Sequence, residues 1–347
     1  TIPGYTGYTH LMENVGQTSN RGVELSLTGY IMDRPDFTLN ATFNIGRNKN
    51  KIDKLASGEK EMVLSSGWAG SQLLNSDDYR AYVGGTTGLI YGFVNDGFYT
   101  VDDFKPFDSK SRTWTLKDGV VNSSPLSGDP RPGNAKFKKL TPVDENSANP
   151  YTLTDDDRTV IGNTTPKFSG GFGLNATFKG FDVSAFFNFM YDFDVFNANK
   201  VMMTTWASNN YNNFSMDISA AKRWRNFDDM GNEIRYSPEI LAEFNKNATM
   251  WNPTSIGRPI AMSYAVEDGS FLRLNTATIG YTLPRAWTNK VGLSRVRFYA
   301  SGYNLFTITG YSGYDPEVDI ATGLTPNIDN NRYPRSRTYT FGVQLTF

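Results

Sequence analysis

Apolar and polar residues alternate with a period of two through several long stretches. In TYTFGVQLTF, residues 338–347, Tyr339, Phe341, Val343, Leu345 and Phe347 oppose Thr338, Thr340, Gly342, Gln344 and Thr346. GVELSLTGYI sets Val23, Leu25, Leu27 and Ile31 against Glu24, Ser26, Thr28 and Tyr30. DFTLNATFNIG sets Phe37, Leu39, Ala41, Phe43 and Ile45 against Thr38, Asn40, Thr42 and Asn44. FSGGFGLNATF, FDVSAFFNFMY and SRVRFYASGYNLF repeat the pattern, with Asn188 on the polar side of the second and Arg295, Arg297 and Tyr303 on that of the third. In FLRLNTATIGYTL, residues 271–283, the apolar phase slips near Asn275, which predicts a bulge. Period two is the signature of a strand with one apolar and one polar face. An ordinary strand has ~5–6 residues. These run to roughly ten or more, the length of a tilted strand that crosses a bilayer.

The connectors are short at one end and long at the other. MDRP, KG (Lys179–Gly180) and PRAWTNKVG (Pro284 to Gly292) join successive strands, whereas residues 48–167, 192–270 and 307–337 form long insertions. Within these, MDISAAKRWRNF and PEILAEFNK have the look of short helices, and one or two extra strands are expected near Leu89–Tyr99. Loops of such length are rare in compact domains unless they carry function. Outer-membrane barrels have this asymmetry, with the long loops outside the cell.

Composition narrows the picture. The 347 residues hold 34 basic and 35 acidic side chains, so no basic surface suggests nucleic acid. There is no cysteine, which removes disulfides and thiolate metal sites and is in keeping with an exported bacterial protein. No apolar run approaches the ~18 residues of a membrane helix. TIPGYTGYTH has neither the basic start nor the apolar core of a signal peptide.

A barrel accounts for the closing strand. Its apolar face meets lipid and its polar face lines the lumen, and a lipid-facing Phe347 after Tyr339, Phe341, Val343 and Leu345 resembles the C-terminal assembly signal of outer-membrane barrels. Seven strands are too few and odd in number for a closed bacterial barrel, because an open edge in lipid leaves unpaired backbone groups. The sequence therefore reads as all-β, the C-terminal portion of a larger antiparallel membrane barrel, with residues 1–347 as one unit.

The segments NVGQTSNRGVELSL, FNIGRNKNKIDKL, IYGFVNDGFY, DDDRTVIGNTTPKFSGGFGLNATFKGFDVSAFFNF, VEDGSFLRLNTATIGYTLP, RVRFYASGYNLFTITGYSGYDPEV and YPRSRTYTFGVQLTF, in this order, resemble the C-terminal part of SusC/RagA-type TonB-dependent outer-membrane transporters of Bacteroidetes. That resemblance implies a barrel of about 22 strands. It also implies an N-terminal plug and TonB box, neither of them in this chain, and energy from the TonB complex. A SusD-type surface lipoprotein would act as lid, in pairs of transporter and lipoprotein, and the cargo would be oligosaccharide or peptide.

Candidate chemistry is sparse. His10 is the only histidine, so triad or histidine-rich metal chemistry has almost nothing to work with. GFGLNA, Gly171 to Ala176, matches a loose dinucleotide fingerprint but sits inside a strand, where glycines relieve crowding instead. Asp155 and Asp157 of TDDDRT, and Asp77 and Asp78 of SDDY, are the calcium candidates, although Val160 stands where an EF-hand needs glycine. Asp315 and Glu317 of YDPEVD either hold the last outer loop or touch a partner. Glu24, Ser26, Asn40, Asn44, Asn188, Arg295, Arg297 and Tyr303 are the lumen-facing candidates for the substrate path, against a plain solvated wall. Trp68, Trp114, Trp206, Trp224 and Trp251 fall in the long loops, as sugar-stacking surfaces or as loop core. Beside active import stand two alternatives: a surface-binding or adhesive β-sandwich, and a passive porin. An enzyme is not expected, nor any cofactor beyond the calcium candidates.

Overall fold

The computed structural model describes residues 16–55, 58–75, 77–205, 213–318 and 323–347. His10 and Trp206 lie outside them. Seven long strands make up the main sheet: β1 (Gln17–Arg34), β2 (Phe37–Lys54), β3 (Phe168–Phe178), β4 (Phe181–Tyr191), β5 (Phe271–Thr282), β6 (Arg295–Thr309) and β7 (Thr338–Thr346). Each pairs antiparallel with its neighbour in sequence, an up-and-down meander. Among the described residues β1 and β7 are its edges, and the sheet does not close into a ring.

The alternation places all seven strands, and the bulge falls where the phase slips: the ladder skips Asn275, between Leu274 and Thr276. A second irregularity displaces Ile31, so that Tyr30 pairs with Asn40 and Met32 with Leu39. β1 and β2 are longer than the alternation suggests, at 18 residues each. The last residues of β2, RNKNKIDK, are polar on both faces except for Ile52, so the ladder goes on where the alternation has stopped. Ile52 there packs with Leu55 and Ala81. The tight turn between β3 and β4 has positive φ at both central residues, Lys179 (47°) and Gly180 (89°). That is the primed hairpin geometry, matched to the twist of the strands.

The long connectors, residues 55–167, 192–270 and 310–337, fold together at one end of the sheet. Trp68, Tyr79, Phe137, Phe196, Trp251, Met262 and Ile328 share a single apolar core drawn from all three. The strand Asp194–Asn197 pairs antiparallel with Val266–Asp268 and parallel with Ile328–Asp329, tying the second connector to the third. Strands at Leu89–Gly92 and Asn95–Phe98 occupy the region expected for them, and Pro238–Phe244 is the helix expected from PEILAEFNK. MDISAAKRWRNF is different: only Met216–Ile218 forms a 3-10 turn. The following residues turn instead, with Lys222 and Arg223 bonded to the Ser219 carbonyl and Trp224 to that of Met250. No helix among the described residues is long and apolar enough to cross a membrane.

Candidate functional site

The register determines which side chains share a face, because directly opposed residues of an antiparallel pair project the same way. Ser26, Asn44, Gly171, Asn188, Arg273 and Thr307 form one row of successive partners across six strands. Tyr30, Asn40, Asn175, Ser184, Thr278, Ser301 and Thr340 form another. Glu24 pairs with Gly46, Tyr303 with Thr276 and Thr338, Arg297 with Thr282 and Gln344, and Arg295 with Thr346, all on this same face. The eight residues picked from the alternation thus lie on one polar surface. Cross-strand hydrogen bonds run along it: Asn50 to Asn20 (2.9 Å), Asn175 to Asn40 (3.0 Å), and Thr278 with Ser301 (2.8 Å).

The opposite face is apolar and unburied. Val23, Leu27, Leu174, Val183, Ile279 and Phe298 project from it into the open, with Tyr339, Phe341, Val343 and Leu345 of β7 beside them, from 49% exposed at Leu345 to 80% at Phe341. A contiguous apolar surface of this extent marks a membrane or a binding partner. Among the described residues no second sheet covers it, as a sandwich would require. The polar face is the one the connectors fold over: Met190 and Phe271, at its loop end, pack with Phe193, Val195, Tyr311 and Val318.

Two glycines of GFGLNA have a steric reason on this face. A Cβ on Gly171 would lie 2.9 Å from the Phe186 ring, and one on Gly173 would meet Thr42 Oγ1 at 2.8 Å. The motif is strand interior and opens no helix, so nothing there cradles a phosphate.

Arg273 is the feature that the alternation conceals. It is only 2% exposed, and its three nitrogens serve three residues. One donates to Asn304 Oδ1 (2.5 Å), another to Asp315 Oδ1 (2.6 Å), and Nε forms an ion pair with Glu317 Oε2 (2.9 Å) whose alignment is too poor for a hydrogen bond. Arg335 closes the group, 3.3 Å from Glu317 and 3.7 Å from Asp315. Asn304, at φ 52°, also donates to the carbonyls of Arg335 and Ser336. Asp315 and Glu317 therefore fasten the last long connector to strand β5. The only advance signal was an arginine set among the leucines of FLRL together with two acids in DPE.

Asp155 and Asp157 do not converge on a common site. Asp157 is fully buried and accepts from the N–H groups of Leu140 (2.9 Å), Thr141 (2.8 Å) and Thr154 (2.8 Å) and from the Thr141 hydroxyl (2.7 Å), with Lys139 at 3.4 Å. Burial alone would raise its pKa, but the Thr141, Thr154 and Leu140 donors outweigh it and hold the carboxyl at about 2. Asp155 accepts from Asn75 (2.7 Å) and Arg158 (2.7 Å). Among the described residues no three histidine or acidic side chains gather as a metal would need. Trp68, Trp224 and Trp251 are buried as loop core, while Trp114 is half-buried against Phe104 and Phe107.

No protein-family model matches the chain. Along its whole length it is 30% identical to TonB-dependent receptor P3 of Formosa agariphila, of which it spans 30%. It is 24% identical to TonB-dependent receptor SusC of Bacteroides thetaiotaomicron, of which it spans 28%. The chain thus covers about a third of the length of these curated relatives. Its fold matches, over its full length, 31% of a chain in the structure of the RagAB peptide transporter, with a TM-score of 0.64 and 22% identity. A chain of the RagAB importer in its open-open state gives 0.66 at 23%. With its meander and its exposed apolar face, the chain resembles TonB-dependent receptors, SusC among them, along its full length, and it shares the fold of a chain of the RagAB transporter.

Proposed function

We propose that these residues form part of the wall and the outer loops of a barrel that imports oligomeric nutrients across the outer membrane, with no enzymatic step of its own. Oligosaccharides are the first substrate class and peptides the second, the latter because a solved structure of like fold is a peptide importer. The observation that carries this reading is the two-faced sheet, its apolar side largely exposed and its polar side covered at one end by loops. In this reading lipid lies against Val23, Leu174, Val183 and Phe341. Glu24, Ser26, Asn40, Asn44, Asn188, Arg295, Arg297 and Tyr303 face the lumen. Strands from the rest of the protein pair with the free edges of β1 and β7, which in hydrocarbon would otherwise leave backbone groups unsatisfied. The full barrel would have about 22 strands.

The long connectors lie outside the cell and the β7 terminus in the periplasm. A SusD-type lipoprotein sits over the loops, two transporter–lipoprotein pairs associate, and the TonB complex acts on a plug outside this chain. Tyr339, Phe341, Val343, Leu345 and Phe347 form the strand read during barrel assembly.

These residues hold no cysteine, so once any cysteine elsewhere in the full-length protein is replaced, topology is directly testable. Single cysteines at Lys117, in an outer connector, and at Asp36, in a tight turn, are placed in the full-length protein and exposed on intact cells to a membrane-impermeant maleimide. Labelling at position 117 and protection at 36 is the expected result; the reverse overturns the orientation. Growth on oligosaccharide or peptide as sole nutrient, with and without the gene, tests import, and unchanged growth on both would remove it.

A further inference from the structure

The outer connectors enclose a cleft of about 820 Å³, away from the polar face of the sheet. Its charged lining is lopsided. Arg112, Arg131, Arg235 and Arg258 line it against one acid, Asp129. The whole chain, by contrast, carries a net charge of −1. Most of this positive charge is uncompensated. Among the described residues Arg112 and Arg131 form no ion pair, and Arg258 spends its donors on the neutral carbonyls of Ser71, Gln72 and Leu73. Only Arg235 has a carboxylate beside it, Glu233.

Two of the guanidinium groups share one aromatic neighbour. Arg112 lies 5.2 Å and Arg235 5.7 Å from the centroid of the Tyr236 ring, so one aromatic ring carries two cations. The ring quadrupole stabilises each of them, and an anion in the cleft would add to this. Arg112 has a φ of 55°, a left-handed backbone that an arginine adopts at a cost. Planar guanidinium forks suit carboxylate and sulfate oxygens.

We infer that this cleft is a binding site for an anionic oligosaccharide, one bearing uronate carboxylates or sulfate esters, at the outer mouth of the transporter. This rests on the import reading above and narrows its substrate class. The volume, within the range of about 300–1,000 Å³ usual for small-molecule sites, accommodates a few sugar units. Trp114 and Tyr236 add aromatic surface, and the Asn226 amide adds a partner for hydroxyls.

The test uses full-length transporter purified in detergent and titrated calorimetrically with oligogalacturonate, sulfated carrageenan oligosaccharide, neutral malto-oligosaccharide and hexaglutamate peptide. One or both anionic sugars should bind, and binding should weaken as salt is raised. Arg112→Gln with Arg131→Gln, both at exposed positions, should weaken it about tenfold or more. Lysine at the same two positions should restore part of the loss. Equal binding of neutral and anionic sugars, or full anionic binding by the double glutamine variant, overturns the inference. Arginine-dependent binding of hexaglutamate alone overturns the sugar assignment. Growth on a neutral oligosaccharide or peptide, with and without the gene, separates the two readings: gene-dependent growth with no anionic-sugar binding by the wild-type protein overturns this site and leaves import intact.

Discussion

Arg297 on β6 reaches across β5 to grip Asp182 on β4, with Nε 2.8 Å from Oδ1 and a terminal nitrogen 2.5 Å from Oδ2. The strand between them offers Gly280 beneath the guanidinium, where a Cβ would come within 2.5 Å of that nitrogen. One glycine thus lets an ion pair skip a strand and staple three together. Gly280→Leu should displace the arginine and cost about 1–3 kcal/mol, the range for forcing atoms into an occupied space. Asp182→Asn should lower stability as well, and combining the two should add little, because both remove the same contact. The temperature at which the folded barrel loses its compact migration in detergent gels reports all three. Full additivity would show that the glycine and the ion pair act separately.

The Arg273 group should fail differently. Its three nitrogens engage Asn304, Asp315 and Glu317, a division of donors that lysine cannot reproduce. Arg273→Met would leave the buried Asp315 and the part-buried Glu317 with only Arg335 nearby, and breaking a buried ion pair in this way costs about 3–5 kcal/mol. The loss should be local. Hydrogen exchange should speed up in residues 310–318 and leave β1 to β4 unchanged, and Arg273→Lys should behave nearly as badly as Arg273→Met. Uniform loss of protection across the sheet would contradict a role confined to the last connector.

The sheet was legible in the sequence because period two leaves a trace wherever one face meets apolar surroundings and the other polar ones. That rule placed seven strands, the shared face of Glu24 through Tyr303, and the bulge at Asn275. It failed where both faces are polar, as in the last residues of β2, next to the long connector. The loop core was not legible: Trp68, Phe196 and Ile328 meet across more than a hundred residues of chain, and no local pattern records such pairing. Arg273 escaped notice because a buried arginine looks, in sequence, like any wall residue. Its partners lie 42 and 44 positions away in a loop, and the cation-rich cleft likewise depends on segments distant in the chain.

The two faces of the sheet can be told apart by charge. Val183 and Ser184 are neighbours in β4 that project to opposite sides. An arginine on the lipid side of a barrel costs about 2–4 kcal/mol at the bilayer midplane, whereas lumen substitutions are tolerated. Val183→Arg should therefore reduce the fraction of folded barrel recovered from outer membranes, and Ser184→Arg should leave it close to unchanged. Equal recovery of both variants would remove the assignment of lipid to the Val183 side.

Asp157 predicts both a pH response and an indifference to metal. Its carboxylate is buried among donors from Lys139, Leu140, Thr141 and Thr154 and held at about 2, below the ordinary value of 3.8. A lowered carboxyl pKa contributes stability that is complete above the unfolded value and is lost as the pH falls towards the folded one. The segment from Lys139 to Arg158 should therefore become sensitive to an acid protease as the pH drops from about 4 to about 2. Asp157→Asn should show that sensitivity already at neutral pH, because an amide nitrogen in place of an oxygen sets donor against donor. Donors rather than open space surround the carboxylate, so excess calcium or a chelator should leave the protease pattern of the wild-type protein unchanged. Protection by calcium that vanishes in Asp157→Asn would instead make this carboxylate a metal ligand.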